Sequence, residues 1–321
     1  MRRLLHSVRE AAGHARRCRR YWTAAGSLGM AMPVPPRRHG YGPFKSGRRY
    51  AALLLLYPVT LAGWLLGALC RPFVRLPQEV AGEADARRRR GRRETVHQLP
   101  LLDAAECAAI VGRVHELRSL WVFRQPGFFT LGRAAYMDCR SPSALDHYLQ
   151  EAPCLNEELL RGFRPLYDKL LATLQDVLHE PCQLTERQAI PGFHIWLGRG
   201  IPRLGFDAAS VHFDLQYIDL GLDGGEWRTL DEVISFTLPL RLPQAGGGLN
   251  VWAVTHPEQV GWEAWPYKAV SRVRYSVGSL VLHTGHEMHQ IAPVERIAEG
   301  DQRICLQGHG IRQDGGWLLY W

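Results

Sequence analysis

The sequence predicts a mainly β protein, a jelly roll entered through helices on its N-terminal side and preceded by a basic arm and an apolar helix. Three observations carry this expectation. After Gln183 the chain becomes a series of short apolar segments separated by Gly, Pro and Asp, with no helical repeat between them. Parallel strands need crossover helices, so this spacing belongs to an antiparallel barrel or sandwich. Upstream of Gln183, two stretches repeat their apolar residues at helical spacing. Finally, the charge is divided: residues 1–93 hold 20 Lys and Arg against 4 Asp and Glu, while residues 94–321 hold 19 against 27. The formal net charge of +8 is therefore the difference between a +16 arm and a −8 body.

The arm has three parts. Residues 1–50 are rich in Arg, Gly and Pro and read as largely disordered. Residues 51–70 carry no charge and lie between Arg49 and Arg71. As a helix they would span about 30 Å, the thickness of a bilayer core, which makes them a candidate membrane segment. Pro58 would kink that helix. A helix buried in a soluble domain and an over-extended translation start, with Met30 or Met32 as the alternative, are the competing readings. Residues 71–95, centred on the Arg87–Arg93 run, read as a basic linker. An anionic membrane surface is accordingly an expected partner for residues 1–93 only, and no nucleic-acid partner is predicted.

The body is expected over residues 96–315. Leu102-Asp103-Ala104-Ala105-Glu106 places an N-cap Asp three residues before a Glu, the pattern of a capping box, at the head of an apolar helical repeat. A second helix is predicted over 156–178, where Leu159, Leu160, Phe163, Leu166, Tyr167, Leu170, Leu171 and Leu174 recur at helical spacing. Strands are predicted at 184–197, 211–218, 232–241, 248–255, 270–282, 288–293 and 302–311. The seven cysteines form no C-x-x-C pair, and no apolar stretch follows the first basic residues. A disulfide framework, a structural zinc site and a secretory leader are thus not expected, and a reducing cytoplasm suits the chain.

Val211-His212-Phe213-Asp214-Leu215 lies in the second predicted strand. Residues i and i+2 of a strand face the same side, so His212 and Asp214 converge while Phe213 turns away. An imidazole and a carboxylate together suit a borderline divalent metal, but H-x-D alone is a common triplet. Four further segments follow in order: Gly246-Gly247-Gly248-Leu249, Gly278-Ser279-Leu280-Val281-Leu282, Met288-His289-Gln290-Ile291-Ala292-Pro293, and Gly300-Asp301-Gln302-Arg303-Ile304.

In this order the segments resemble the double-stranded β-helix core of the Fe(II)/2-oxoglutarate-dependent oxygenase superfamily, most closely its prolyl 4-hydroxylase-like branch. The resemblance covers roughly residues 96–315. It implies that His212, Asp214 and His289 are the catalytic Fe(II) ligands and that Arg303 grips the distal carboxylate of the cosubstrate 2-oxoglutarate. A guanidinium offers that carboxylate a bidentate fork. O2 and an unidentified organic or peptidyl substrate complete the implied reaction, a hydroxylation or desaturation. In related halogenases a small residue replaces the carboxylate ligand, and Asp214 is present here.

Some choices stay open. His283 and His286 compete with His289 for the third ligand position, although His289 alone stands in the H-x-I-x-P context. Arg303 follows His289 by 14 residues, a longer gap than usual, so Val294–Asp301 is expected to form an extended loop and Arg296 is a rival anion partner. His194, Trp196, Gln216, Tyr217, Gln307 and His309 are candidate pocket residues that core packing explains equally well. The 219–232 and 262–267 stretches read as lid or rim. A cupin-type metal enzyme that does not use 2-oxoglutarate, and a basic membrane-associated binding protein with an inert barrel, are the alternative functions. The expected location is cytoplasmic, with attachment to the inner face of a membrane through the arm. If residues 51–70 enter or lie on a membrane, full-length protein should sediment with membranes and stay there through a high-salt wash. Recovery entirely in the soluble fraction would remove the membrane reading.

Overall fold

The computed structural model describes residues 37–38, 78–80, 96–139, 141–198, 201, 212–222, 228–256, 270–292, 294–313 and 315–321. The apolar segment 51–70, and most of the arm and linker with it, lies outside these residues. Segments 37–38 and 78–80 pair in parallel with residues 212–213 and 271–273. Among the described residues no helix is long and apolar enough to cross a membrane.

The predicted jelly roll is present as two sheets facing one another. The body opens with β1 (Val96–Pro100), α1 (Ala104–Glu116), the hairpin β2 (Trp121–Gln125) and β3 (Phe128–Leu131), the short α2 (Ala135–Asp138) and the long α3 (Pro142–Leu178). The capping box forms as expected: Glu106 N–H donates to Asp103 Oδ1 at 2.8 Å, and Asp103 N–H donates to Glu106 Oε2 at 3.0 Å. The second helix is longer than its apolar repeat indicated. It starts at Pro142 after an N-cap Ser141 and breaks its helical geometry at Phe163, two residues before Pro165. A proline in a helix removes one backbone bond and crowds the preceding turn, so the kink has a local cause.

After α3 come β4 (Cys182–Leu184), β5 (Gly192–Leu197), β6 (His212–Phe213), α4 (Gln216–Asp219) and β7 (Val233–Arg241). They are followed by β8 (Ala245–Gly246), β9 (Gly248–Thr255), β10 (Val270–Arg274), β11 (Ser279–His283) and β12 (Glu287–Ile291). The last three strands are β13 (Val294–Arg296), β14 (Gln302–Gln313) and β15 (Gly316–Tyr320). The larger sheet runs β1-β11-β7-β14-β5-β3-β2, with β15 and β4 attached beyond β14. The smaller sheet runs β6-β12-β9-β10 between segments 37–38 and 78–80.

Several boundaries differ from the expectation. The predicted strand 184–197 is interrupted by an irregular stretch, because the Asn156 side chain ties down the Gln188 carbonyl and the Ile190 N–H. The predicted strand 211–218 ends after Phe213 and passes into the turn of α4. Segment 270–282 is two strands: Gly278, at φ +81°, makes the turn between them, and its carbonyl accepts from Leu101 and Leu102 N–H. The expected 294–301 loop contains β13, which pairs with β8, before a turn closed by Ala298 N–H on Asp301. Residues 316–320, past the expected boundary at 315, pair with β14, and Trp321 after them is buried in the interior.

The two faces of the larger sheet are chemically different. Its outer face packs Ile195, Phe193, Ile234, Phe236, Leu238, Leu280, Leu282, Ile304 and Leu306 beneath α1 and α3, whose Val111, Val114, Leu159, Phe163, Leu166 and Leu170 are buried against them. The alternate residues of the same strands therefore face the smaller sheet. Close packing at the rim of the larger sheet gives a measurable constraint. A Cβ at Gly192 would stand 2.1 Å from the Trp321 ring and 2.8 Å from the Leu131 carbonyl. Trp321 cannot yield, since its backbone is held by Ala189 and Ala135. Gly192→Ala should cost about 1–3 kcal/mol, read as a lowered midpoint in chemical denaturation. An unchanged midpoint would show that the Trp321 contact is loose.

Candidate metal centre

The space between the sheets is lined by the inward residues of both. β6 begins with His212, and its Cα lies directly opposite His289 of β12. Asp214 follows the strand, and its N–H donates to the Gly285 carbonyl at 2.8 Å, which carries the chain into α4 while aiming the carboxylate inward. Phe213 turns the other way and packs with Trp252 and Met288. The expected convergence of residues 212 and 214 thus occurs, although the strand itself is only two residues long.

His212, Asp214 and His289 are all buried, and one donor atom from each lies within 4.8 Å of the others. His212 Nε2 is 3.6 Å from Asp214 Oδ1, and His289 Nε2 is 3.2 Å from Asp214 Oδ2. The two imidazole rings are 4.4 Å apart, with their planes inclined at 62°. His289 Nδ1 is 2.7 Å from the Glu287 carbonyl, which places the ring proton there and leaves Nε2 as the inward donor atom. Burial disfavours a charged His289, but the Asp214 carboxylate and that carbonyl outweigh it and raise its pKa above the ordinary value.

The rival histidines are placed elsewhere. The His283 ring lies 4.6 Å from the His289 ring, so it lines the same interior without joining the donor cluster. Burial, then repulsion from His289, lowers its pKa to about 3, so it is neutral. His286 faces away, with Nε2 at 2.9 Å from the Tyr217 hydroxyl. Burial, then His256, lowers its pKa to about 4.

Asp214 is held from behind. Ser235 Oγ donates to its Oδ2 at 2.6 Å, and Gln216 Nε2 donates to its Oδ1 at 3.2 Å. His309, on β14, lies 3.0 Å from Ser235 Oγ through Nδ1 and 3.2 Å from Gln216 Nε2 through Nε2. Gln216 and His309, both candidate pocket residues from the sequence, sit behind the carboxylate rather than in front of it.

Arg303 lies on the inward face of β14, with Cys305, Gln307 and His309 at alternate positions. It is 2% exposed, and its Nε has no hydrogen-bond partner. Among the described residues no carboxylate pairs with it, and the Tyr275 ring centroid is 5.8 Å from the guanidinium carbon. Burial raises the Tyr275 pKa to about 12, against the opposing pull of the Arg303 cation. Arg303 stands opposite Trp196 in the sheet, and Cys305 opposite His194. Trp196 stacks on Phe128 at 3.7 Å, and His194 Nε2 is 2.5 Å from the Tyr136 hydroxyl. The aromatic segment 262–267 and residues 223–227 of the expected rim lie outside the described residues.

Three contributors escaped the sequence reading: Ser235, Tyr275 and Tyr136. For Ser235 a signal exists. On β7, Ile234, Phe236, Leu238 and Leu240 are apolar while Ser235 and Thr237 interrupt them at period two, the mark of a strand with one core face and one functional face.

No family model matches the sequence, and no curated protein matches it significantly. Among solved structures, an N-substituted L-amino acid dioxygenase from Burkholderia ambifaria, in complex with α-ketoglutarate, is similar at 13% identity over 71% of this chain and 86% of that one, with a TM-score of 0.48. A prolyl-4-hydroxylase from Pseudomonas putida is similar at 16% identity over 68% of this chain and 93% of that one, with a TM-score of 0.32. An oxidoreductase of the 2OG-Fe(II) oxygenase family from Burkholderia pseudomallei is similar at 13% identity over 75% and 98%, with a TM-score of 0.35. Similarity at this level carries no residue correspondence. The side chains themselves define the class of this chain: a jelly roll with two histidines and one carboxylate buried together between its sheets.

Proposed function

We propose that the chain is an Fe(II)- and 2-oxoglutarate-dependent oxygenase that hydroxylates or desaturates an organic or peptidyl substrate. The observation that supports it best is the combination, in one interior, of the His212–Asp214–His289 donor set and the buried Arg303 guanidinium with no carboxylate partner among the described residues. Two imidazoles and one carboxylate are the donor set of non-haem Fe(II) sites that leave positions open. A buried cation is costly unless an anion meets it, and a dicarboxylate cosubstrate would supply that anion.

In this reading His212 Nε2, His289 Nε2 and Asp214 would hold Fe(II), and Arg303 would hold the far carboxylate of 2-oxoglutarate, with the Tyr275 ring beside it. When bound, Fe(II) and 2-oxoglutarate supply, with O2, the oxidising equivalents for C–H cleavage, yielding succinate and CO2. The chain's own contribution is positional. The Glu287 carbonyl fixes which nitrogen His289 presents, Ser235 and Gln216 fix the carboxylate plane of Asp214, and the aliphatic residues Leu249, Val251, Val273 and Val281 exclude water from the interior.

Two measurements test the proposal. Prepared anaerobically, full-length protein should bind one Fe(II) and, with 2-oxoglutarate added, develop a weak visible charge-transfer band that His212→Ala and Asp214→Ala abolish. Full iron stoichiometry in both variants would overturn the ligand assignment. Iron binding with no succinate formed against any substrate class would favour the cupin-type alternative.

Removal of the Arg303 charge leaves a bound carboxylate unpaired, which costs about 2–5 kcal/mol, roughly 30- to 5000-fold in affinity. Arg303→Leu should raise the apparent constant for 2-oxoglutarate by that order with Fe(II) binding near normal, and Arg303→Lys should fall between. Arg296→Leu should leave the constant unchanged. The reverse result, loss with Arg296→Leu and none with Arg303→Leu, would mean that the anion partner is Arg296.

A further inference from the structure

We infer that His309 is a positioning residue that fixes Asp214 from behind, chiefly through Ser235 and with its own Nδ1 3.6 Å from Asp214 Oδ2, as one link in a closed chain of hydrogen bonds. The inference rests on the reading of Asp214 as a metal ligand, and extends it to a residue that touches neither metal nor cosubstrate.

The proton order follows from the donor inventory. An ionised Asp214 accepts only, so the Gln216 atom 3.2 Å from Oδ1 must be the amide nitrogen. The same nitrogen lies 3.2 Å from His309 Nε2. Its second proton therefore points at that ring nitrogen, which must be bare. The Oε1 of Gln216 is buried without a partner, as expected where the amide is oriented by what its nitrogen reaches. With Nε2 bare and the ring neutral, the His309 proton sits on Nδ1 and donates to Ser235 Oγ at 3.0 Å. Ser235 then has one proton left to give, and Asp214 Oδ2 lies 2.6 Å away. The order is Gln216 to His309, His309 to Ser235, Ser235 to Asp214, with the other Gln216 proton closing the ring on Oδ1. Each carboxylate oxygen receives one bond from behind and keeps lone-pair capacity towards His212 and His289.

His309 can hold this place because the strands around it are fixed. Its Cα lies opposite Ser235 on one side of β14 and opposite Tyr320 on the other. It is 1% exposed, so water does not substitute for its ring in the chain. Without the Nδ1 donor, the Ser235 hydroxyl loses its incoming bond and is free to rotate away from Asp214. Such partners behind a ligand typically change metal affinity 10- to 100-fold.

The test uses Co(II) alone as probe, on full-length protein, with its visible absorption as readout and no turnover involved. His309→Leu should weaken Co(II) binding about 10- to 100-fold and alter the band shape. His309→Asn, whose amide N–H occupies the place of Nδ1–H, should recover part of the loss. Ser235→Ala should weaken binding to a similar degree, and the Ser235→Ala/His309→Leu pair should fall well short of the sum of the two single losses, because His309 acts chiefly through Ser235. Wild-type affinity in His309→Leu, additive losses in the pair, or an Asn variant as weak as Leu would each overturn the inference. Should His309→Leu fail to fold by circular dichroism, His309→Asn and Ser235→Ala with their double variant still separate additive from non-additive losses. If wild-type protein does not bind Co(II), or binds it equally with His212→Ala, the metal reading fails instead.

Discussion

The rest of the structure is arranged around one costly fact: Asp214 carries a carboxylate, 3% exposed, into the space between two sheets. An isolated buried charge of this kind is not tolerated unless it is paired and hydrogen-bonded. Every element near it answers that demand. β6 and β12 bring imidazole nitrogens to 3.6 and 3.2 Å, β7 brings the Ser235 hydroxyl, and α4 brings the Gln216 amide. The abrupt end of β6 has the same origin. By giving its N–H to Gly285 rather than to a neighbouring strand ladder, Asp214 turns into the interior and the chain coils into α4 behind it.

A carboxylate bounded on one side by hydroxyl and amide donors and on the other by two imidazoles has its electrostatic character set by position. The donors behind it stabilise the charge without neutralising it, and its other side faces the imidazole nitrogens of His212 and His289. A cation seated among the three donors would meet that charge, as the metal reading proposes. Arg303 presents the complementary problem, a buried cation with the Tyr275 ring beside it. Asp214 and Arg303 face the same interior from the two sheets. A ligand combining metal-binding and anionic groups would answer both, which is the ground for proposing 2-oxoglutarate over a smaller ligand.

Much of this was legible in the sequence, and the reasons are particular. Period-two patterning names a face without needing a partner, so His212 and Asp214 could be paired, and Arg303 could be set beside Gln307 and His309. Capping chemistry is local, so Asp103 and Glu106 fixed the head of α1. What sequence could not show was whatever depends on a second strand. Whether His309 lay in front of Asp214 or behind it was decided by the register of β14 against β7, which sets it opposite Ser235. His283 and His286 were indistinguishable from His289 in spacing, and only the turn at 284–286 separates the three into pocket wall, outer contact and inward donor. The strand breaks at 185–191 and 275–278 arose from tertiary clamps, Asn156 on one and Leu101 with Leu102 on the other, that lie far away in sequence.

The larger sheet separates stability from chemistry residue by residue. Along β14, Ile304 and Leu306 point outward into the core shared with α1 and α3, while Arg303, Cys305 and His309 point inward. The outward set bears the cost of folding through apolar burial, about 25 cal/mol for each Å² removed from water. The inward set contributes little of that kind, and the buried Arg303 Nε, which has no hydrogen-bond partner, works against stability. The fold accepts the deficit because the helical layer offsets it from the other side of the same strands. Substitutions on the inward face therefore remove charge or hydrogen bonds without disturbing the packing that holds the strands, and their effects report on the site. Substitutions on the outward face reach the site only by moving a strand, and because β14 carries both His309 and Arg303, a shift there disturbs the surroundings of Asp214 and the buried guanidinium together.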